Sequence, residues 1–103
     1  MEKQVFIKKQ FALQEREYTT ENGEKKKFAS MGFLLTDFMD TFYAEMTGNM
    51  ARECGELDRT VGYMLQTEMQ VRAWETQDHR TAYATSIYIN RLKPMVWGEE
   101  DKR

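Results

Sequence analysis

At 103 residues with 41% hydrophobic and 13% aromatic side chains, the chain has material for one hydrophobic core and too little for two domains. Seventeen Asp/Glu against fifteen Lys/Arg leave a net charge of -2, which excludes a polycation that holds nucleic acid by charge alone. A single cysteine, Cys54, excludes an internal disulfide and a cysteine-based zinc site, and no apolar run approaches the ~18 residues of a membrane helix.

Met1-Glu2-Lys3-Gln4 begins no signal peptide, so a reducing, cytoplasmic setting without membrane association is expected. Charge is unevenly spread. Residues 1–30 carry seven Lys/Arg against five Asp/Glu, residues 31–70 two against seven, and residues 71–97 four against two. An acidic middle between basic flanks allows a local basic surface on an acidic protein, and it is equally the pattern of an ordinary solvated surface.

Val5-Phe6-Ile7, continuing towards Phe11 and Leu13, predicts a first strand, and Lys8-Lys9 leaves room for a bulge. Glu15 to Lys27 is polar and contains Asn22-Gly23, the strongest hairpin dipeptide, so two strands meet around it. Phe28 to Leu35 reads as a strand buried on both faces. Asp37-Phe38-Met39-Asp40 connects it to a strand over Thr41 to Thr47, with Phe42, Ala44 and Met46 on one face. Asn49 is the expected N-cap of a helix over Met50 to Leu57.

Tyr63 to Trp74 alternates, with Tyr63, Leu65, Thr67, Met69, Val71 and Ala73 on a dry face and Gln66, Glu68, Gln70 and Arg72 opposite. Gln77-Asp78-His79-Arg80 is the next turn, Thr81 to Leu92 the last strand, and Pro94 its end. The expected fold is all-β: a five-stranded OB-fold Greek-key barrel with one short helix between strands 3 and 4. A meander or split sandwich of the same strands is the rival. The barrel would span residues 1–97, and residues 98–103 would form a short charged tail.

Enzyme chemistry finds little to work with. One histidine, one cysteine and scattered carboxylates show no metal-ligand spacing, and no glycine-rich phosphate loop or nucleophile elbow is present. His79 beside Asp78 is a pair in sequence only, because neighbours in a turn seldom converge on one point. Eight methionines, mostly at apolar positions, fit core filling. The expectation is a non-catalytic protein without metal or cofactor.

Two stretches carry a family likeness. Arg72-Ala73-Trp74, followed after a polar turn by Tyr83-Ala84-Thr85-Ser86-Ile87-Tyr88-Ile89, resembles the last two strands of the bacterial single-stranded DNA-binding protein family. Phe42 to Ala51 is similar to that family's third strand, its glycine and the start of its helix. The likeness covers roughly residues 26–95. It implies an OB-fold that binds single-stranded DNA in replication, repair or mobile-element transfer, as a homodimer or dimer of dimers, alongside replication or repair proteins. Ala12-Leu13-Gln14-Glu15 departs from the family's usual glycine-containing motif. Trp97-Gly98-Glu99-Glu100 is a stub beside the family's long acidic tail, so the shorter primosomal replication protein N type is the nearer functional picture.

Single-strand binding needs flat rings for bases and cations along the phosphates. In an OB-fold these lie on strands two and three and on the loops joining strands 1–2 and 4–5. The first loop offers Tyr18, Lys25, Lys26 and Lys27; the second offers Arg72, Trp74, His79 and Arg80; Phe38, Tyr43 and Tyr88 would add rings to the sheet face. The lysine triplet serves equally as a solvated turn, and Tyr43 and Tyr88 equally as subunit packing. Asp37, Asp40 and Glu45 oppose DNA binding. An OB-fold that binds a protein instead, through the acidic middle, is the alternative. Phe6, pointing opposite to Val5 and Ile7, needs cover on a second face, and a two-fold copy of the strand would supply it.

Overall fold

Val5 and Ile7 point to one side of the first strand and are buried, and around them the sheet closes on itself. The computed structural model describes residues 1–95. In chain order these form β1 (Glu2–Gln10), β2 (Gln14–Thr19), β3 (Lys25–Thr36), β4 (Thr41–Thr47), α1 (Gly48–Cys54), β5 (Gly62–Glu75) and β6 (Thr81–Pro94). Five strands make a ring in the order β1-β5-β6-β4-β3, and β1–β3 pairing completes it. β2 lies outside the ring as a sixth strand on β3, one more than the composition of apolar segments predicts. The architecture is therefore an all-β barrel with a strand appended.

Ring closure depends on β1. Its first half, Glu2 to Phe6, pairs antiparallel with β5, and Phe6 to Gln10 pairs with β3. Between Ile7 and Lys9 the register shifts, so Lys8 is the bulge that the lysine pair suggested. Such a bulge bends and twists the strand, which lets one strand serve two neighbours at the turn of a barrel. A second shift lies between Gln66 and Thr67 of β5, opposite Arg91 and Ile89. The remaining seam, β4 with β6, is parallel, with Glu45 opposite Tyr88.

Inside the ring sit Val5, Ile7, Met31, Phe33, Leu35, Ala44, Met46, Tyr63, Leu65 and Ile89. α1 packs on β3 and β4 through Ala51, while Cys54 and Leu57 rest partly buried against the same core. The helix starts earlier than the sequence suggests. Thr47, extended at φ -127°, is its N-cap and makes no side-chain cap bond; Asn49 lies within the first turn and accepts a bond from Arg52 Nη1. Burial pushes the Cys54 thiol above its ordinary range.

Two hairpins leave the barrel. One is β2 with the first half of β3, turned at Gly23 with φ 82°, the left-handed geometry for which Asn-Gly is favoured. The other is the arm made by β5 and β6 beyond Thr67 and Ile89, paired out to Glu75 and Thr81. The dry face expected along all of β5 ends at Thr67, because β1 accompanies β5 only as far as Gln66. Beyond that point Met69 and Val71 are 54% and 65% exposed. Phe28 departs from expectation likewise: it lies before β3 enters the core and is exposed. Among the described residues no helix is long and apolar enough to cross a membrane. The expected 98–103 tail, with residues 96 and 97, lies outside the described residues.

At the β3–β4 turn Asp37 holds the chain together. Its Oδ1 accepts the backbone N–H of Met39 at 3.0 Å and of Asp40 at 2.7 Å, and its Oδ2 accepts Lys3 Nζ at 2.6 Å. The Lys3 bond, then the two backbone donors, hold its carboxyl down at about 2. This turn carries Phe38 at φ 77°, a left-handed conformation unfavourable for an aromatic residue. Because the folded carboxyl ionises below its usual range, the stabilisation is complete above about pH 4 and is lost as pH falls towards 2. Asp37→Asn is expected to lower the melting temperature at pH 7 and to narrow its distance from wild type as pH drops through that window. A constant distance from pH 7 to pH 2 would contradict the latch.

Candidate nucleic-acid interface

Strand alternation sends odd-numbered residues of β3 inward from Ala29 to Leu35, so Phe28, Ser30, Gly32 and Leu34 face out. Register adds their neighbours. On β2, Tyr18 stands opposite Lys26, Arg16 opposite Phe28 and Gln14 opposite Ser30. On β4, Glu45 stands opposite Gly32 and Tyr43 opposite Leu34. One outer surface therefore runs from Lys26 and Tyr18 over Arg16 and Phe28 to Gly32 and Tyr43.

A groove of about 320 Å³ lies in this surface, lined by Phe11, Arg16, Phe28, Gly32, Tyr43 and Glu45 among others. Phe28 is 45% and Tyr43 50% exposed. Phe11, in the β1–β2 connection, packs 6.1 Å from the Tyr43 ring with the planes inclined by 59°. Gly32 makes room for that arrangement. A Cβ there would collide with Tyr43 Oη and Cζ, so the phenol lies directly over the glycine. Partial burial and then the Glu45 charge push the Tyr43 hydroxyl above its ordinary range. Flat, half-exposed rings beside an arginine can stack planar ligands and meet an anionic group.

The expected site residues separate into groups. Tyr18, Lys26 and Tyr43 share the outer surface. Lys25 and Lys27 alternate to the other side; Lys25 pairs with Glu17 at 3.8 Å, and the Lys27 carbonyl accepts Arg52. Tyr88 faces out, half-buried, with Glu45 opposite on β4 and Glu68 on β5. Arg72 and Trp74 continue the outer face along the arm, where the guanidinium sits 5.5 Å from the Trp74 ring. His79 and Arg80 are at the arm's tip, and His79 Nδ1 lies 3.0 Å from Glu75. Phe38 stands apart: its ring packs on Phe6 at 5.1 Å, at the β3–β4 turn.

That contact also answers the question of Phe6. β1 is hydrogen-bonded to β5 on one edge and β3 on the other, and Phe38 covers the outward ring. Phe6 thus has an intramolecular neighbour. Phe11, Arg16, Phe28 and Gly32 are the groove residues that reading the sequence missed. Their signal was the even spacing of Phe28, Ser30 and Gly32, two of them small, within a run that looked uniformly apolar.

Gly32→Ala is expected to displace the exposed Tyr43 ring rather than unfold the barrel, because the clashing atoms are the far end of a mobile side chain. Melting within a few degrees of wild type, with altered Tyr43 ring signals by NMR, would fit; a collapse of the fold would contradict it. Among the described residues no group of three or more His, Cys, Asp and Glu side chains gathers as a metal site. The chain matches no protein-family model, and no curated protein matches it.

Proposed function

We propose that this protein is an OB-fold that binds single-stranded DNA without catalysis, in replication, repair or mobile-element transfer in the cytoplasm. The observation that carries the reading is the aromatic groove of Phe11, Phe28 and Tyr43 with Arg16. It lies on the second and third strands of the ring, the face on which OB-folds bind oligonucleotides. The antiparallel ring closed by one parallel seam supports the same fold. The first hairpin carries Tyr18 and Lys26 on the same outer surface as the groove, and the β5–β6 arm carries Arg72, Trp74 and Arg80.

Titration of labelled oligo-dT, followed by anisotropy at low and rising salt, tests the reading. Affinity should fall with salt by a log–log slope of about -0.7 per phosphate contact. Lys26→Gln should flatten the slope by one such step. Lys25→Gln should leave it unchanged, because that lysine is on the other side and paired with Glu17. Absence of binding at low salt would defeat the reading.

A second reading has an observation of its own. The inner face of the arm carries Met69, Val71 and Tyr83, the last 69% exposed, in a stripe that the barrel does not cover. Such a stripe suits a protein partner, and a second copy of the arm fits it as a homodimer. Sedimentation at micromolar concentration tests this: Val71→Glu should convert a dimer near 25 kDa to a monomer near 12 kDa.

A further inference from the structure

The groove has a neighbour of different chemistry. A second cleft, of about 530 Å³, lies between the end of β1 and the α1–β5 connection, and Phe11 and Ala12 line both. Where the groove is aromatic, this cleft is cationic: Lys9 and Arg59 line it against one carboxylate, Glu56. Among the described residues neither cation has an ion-pair partner, whereas Lys3, Lys25 and Arg52 do. We propose that this cleft is a phosphate subsite and that the two clefts together hold one nucleotide unit, its base in the groove and its phosphate between Lys9 and Arg59.

The inference rests on the single-strand reading for its biological setting, and on the following geometry for its chemistry. Lys9 Nζ lies 5.0 Å from the centre of the Phe11 ring, so one cation is positioned beside the ring that separates the clefts. Arg59 Nη1 donates to the Lys8 carbonyl at 3.3 Å, which brings the second cation to the same end of β1. Gln10 fastens the walls. Its Nε2 donates to the Gly55 carbonyl at 2.6 Å and its Oε1 accepts the Leu57 N–H at 2.9 Å. The cleft is thus formed before a ligand arrives, and little ordering cost remains for binding. A nucleotide presents a flat base and, one sugar away, a compact anion. The two clefts present rings and, across Phe11, two cations. Arginine contributes a planar fork for phosphate oxygens and lysine a point charge.

Amide chemical-shift titrations with thymidine monophosphate, thymidine and inorganic phosphate separate the parts. The monophosphate should move amides of both clefts, including Ser30, Gly32, Glu56 and Leu57. Thymidine should move only the groove, and inorganic phosphate only the Gly55 to Arg59 side. The double variant Lys9→Gln with Arg59→Gln, both exposed positions, should keep the thymidine response and lose the phosphate response. It should also flatten the oligo-dT salt slope by about 0.7 if the two cations meet one phosphate. Unmoved Gly55–Arg59 amides, or a phosphate response that survives the double substitution, would overturn the subsite while oligo-dT binding could still uphold the single-strand reading. Filling of both clefts by the monophosphate without oligo-dT binding would uphold the subsite and defeat that reading.

Discussion

Phe33→Ala is expected to remove most of the protein's stability. Phe33 is fully buried on β3, opposite Gln10 on one side and Ala44 on the other, at the centre of the ring. Truncating a buried phenylalanine costs about 3–5 kcal/mol, transfer and cavity together. Domains of this size have only about 5–15 kcal/mol to lose. Urea denaturation followed by circular dichroism should show the midpoint fall sharply, with much of the sample unfolded in the low-molar range. Val71→Ala supplies the contrast. It also removes apolar atoms from the same sheet, fewer of them and from a side chain 65% exposed on the arm, and should change stability by less than about 0.5 kcal/mol. Equal losses from the two substitutions would mean that the arm face is part of the core after all.

The second large effect concerns binding. Phe28→Ala combined with Tyr43→Ala should weaken oligo-dT by about 2–6 kcal/mol, since each stacked base is worth about 1–3 kcal/mol. That is roughly thirtyfold or more in affinity. Neither ring belongs to the core, and both are about half exposed, so melting should remain close to wild type. Phe38→Ala is the control, because its ring packs on Phe6 away from the groove and should leave affinity unchanged. Retained affinity in the double variant, with intact salt dependence, would move the strand's path to the arm, where Arg72 and Trp74 stand.

What the sequence disclosed was what depends on neighbours along the chain. Asn22-Gly23 announces a hairpin because a left-handed turn has few occupants, and Gly23 adopts it. Lys8-Lys9 leaves room for a bulge because unbroken alternation would point one of the two charges into the core, and the register shifts there. Alternation from Tyr63 to Ala73 identified β5 and its inward face. It could not show where the barrel ends, because that boundary is set by β1, some sixty residues earlier, which leaves β5 after Gln66. The groove was hidden for a related reason. Phe28 looks like the start of a core strand until β2, with Arg16 and Tyr18, is placed beside it by the hairpin register. Tyr43 was found as a ring on β4, but its seat over Gly32 exists only once β3 and β4 are paired. The helix start was misread because Gly48, at φ 66°, turns the chain directly after Thr47, ahead of the asparagine that resembles a cap.

The most direct test of the proposed interface is photo-cross-linking of an oligo-dT in which single thymines are replaced by 5-iodouracil, followed by identification of the modified peptides. Iodouracil couples to rings it stacks on, so it reports the path of the bases without any substitution in the protein. Cross-links are expected at Phe11, Phe28 and Tyr43, with Trp74 labelled from positions farther along the strand. Cross-links confined to the arm's inner face or to Phe38, with the three groove rings unmodified at saturating oligonucleotide, would contradict it.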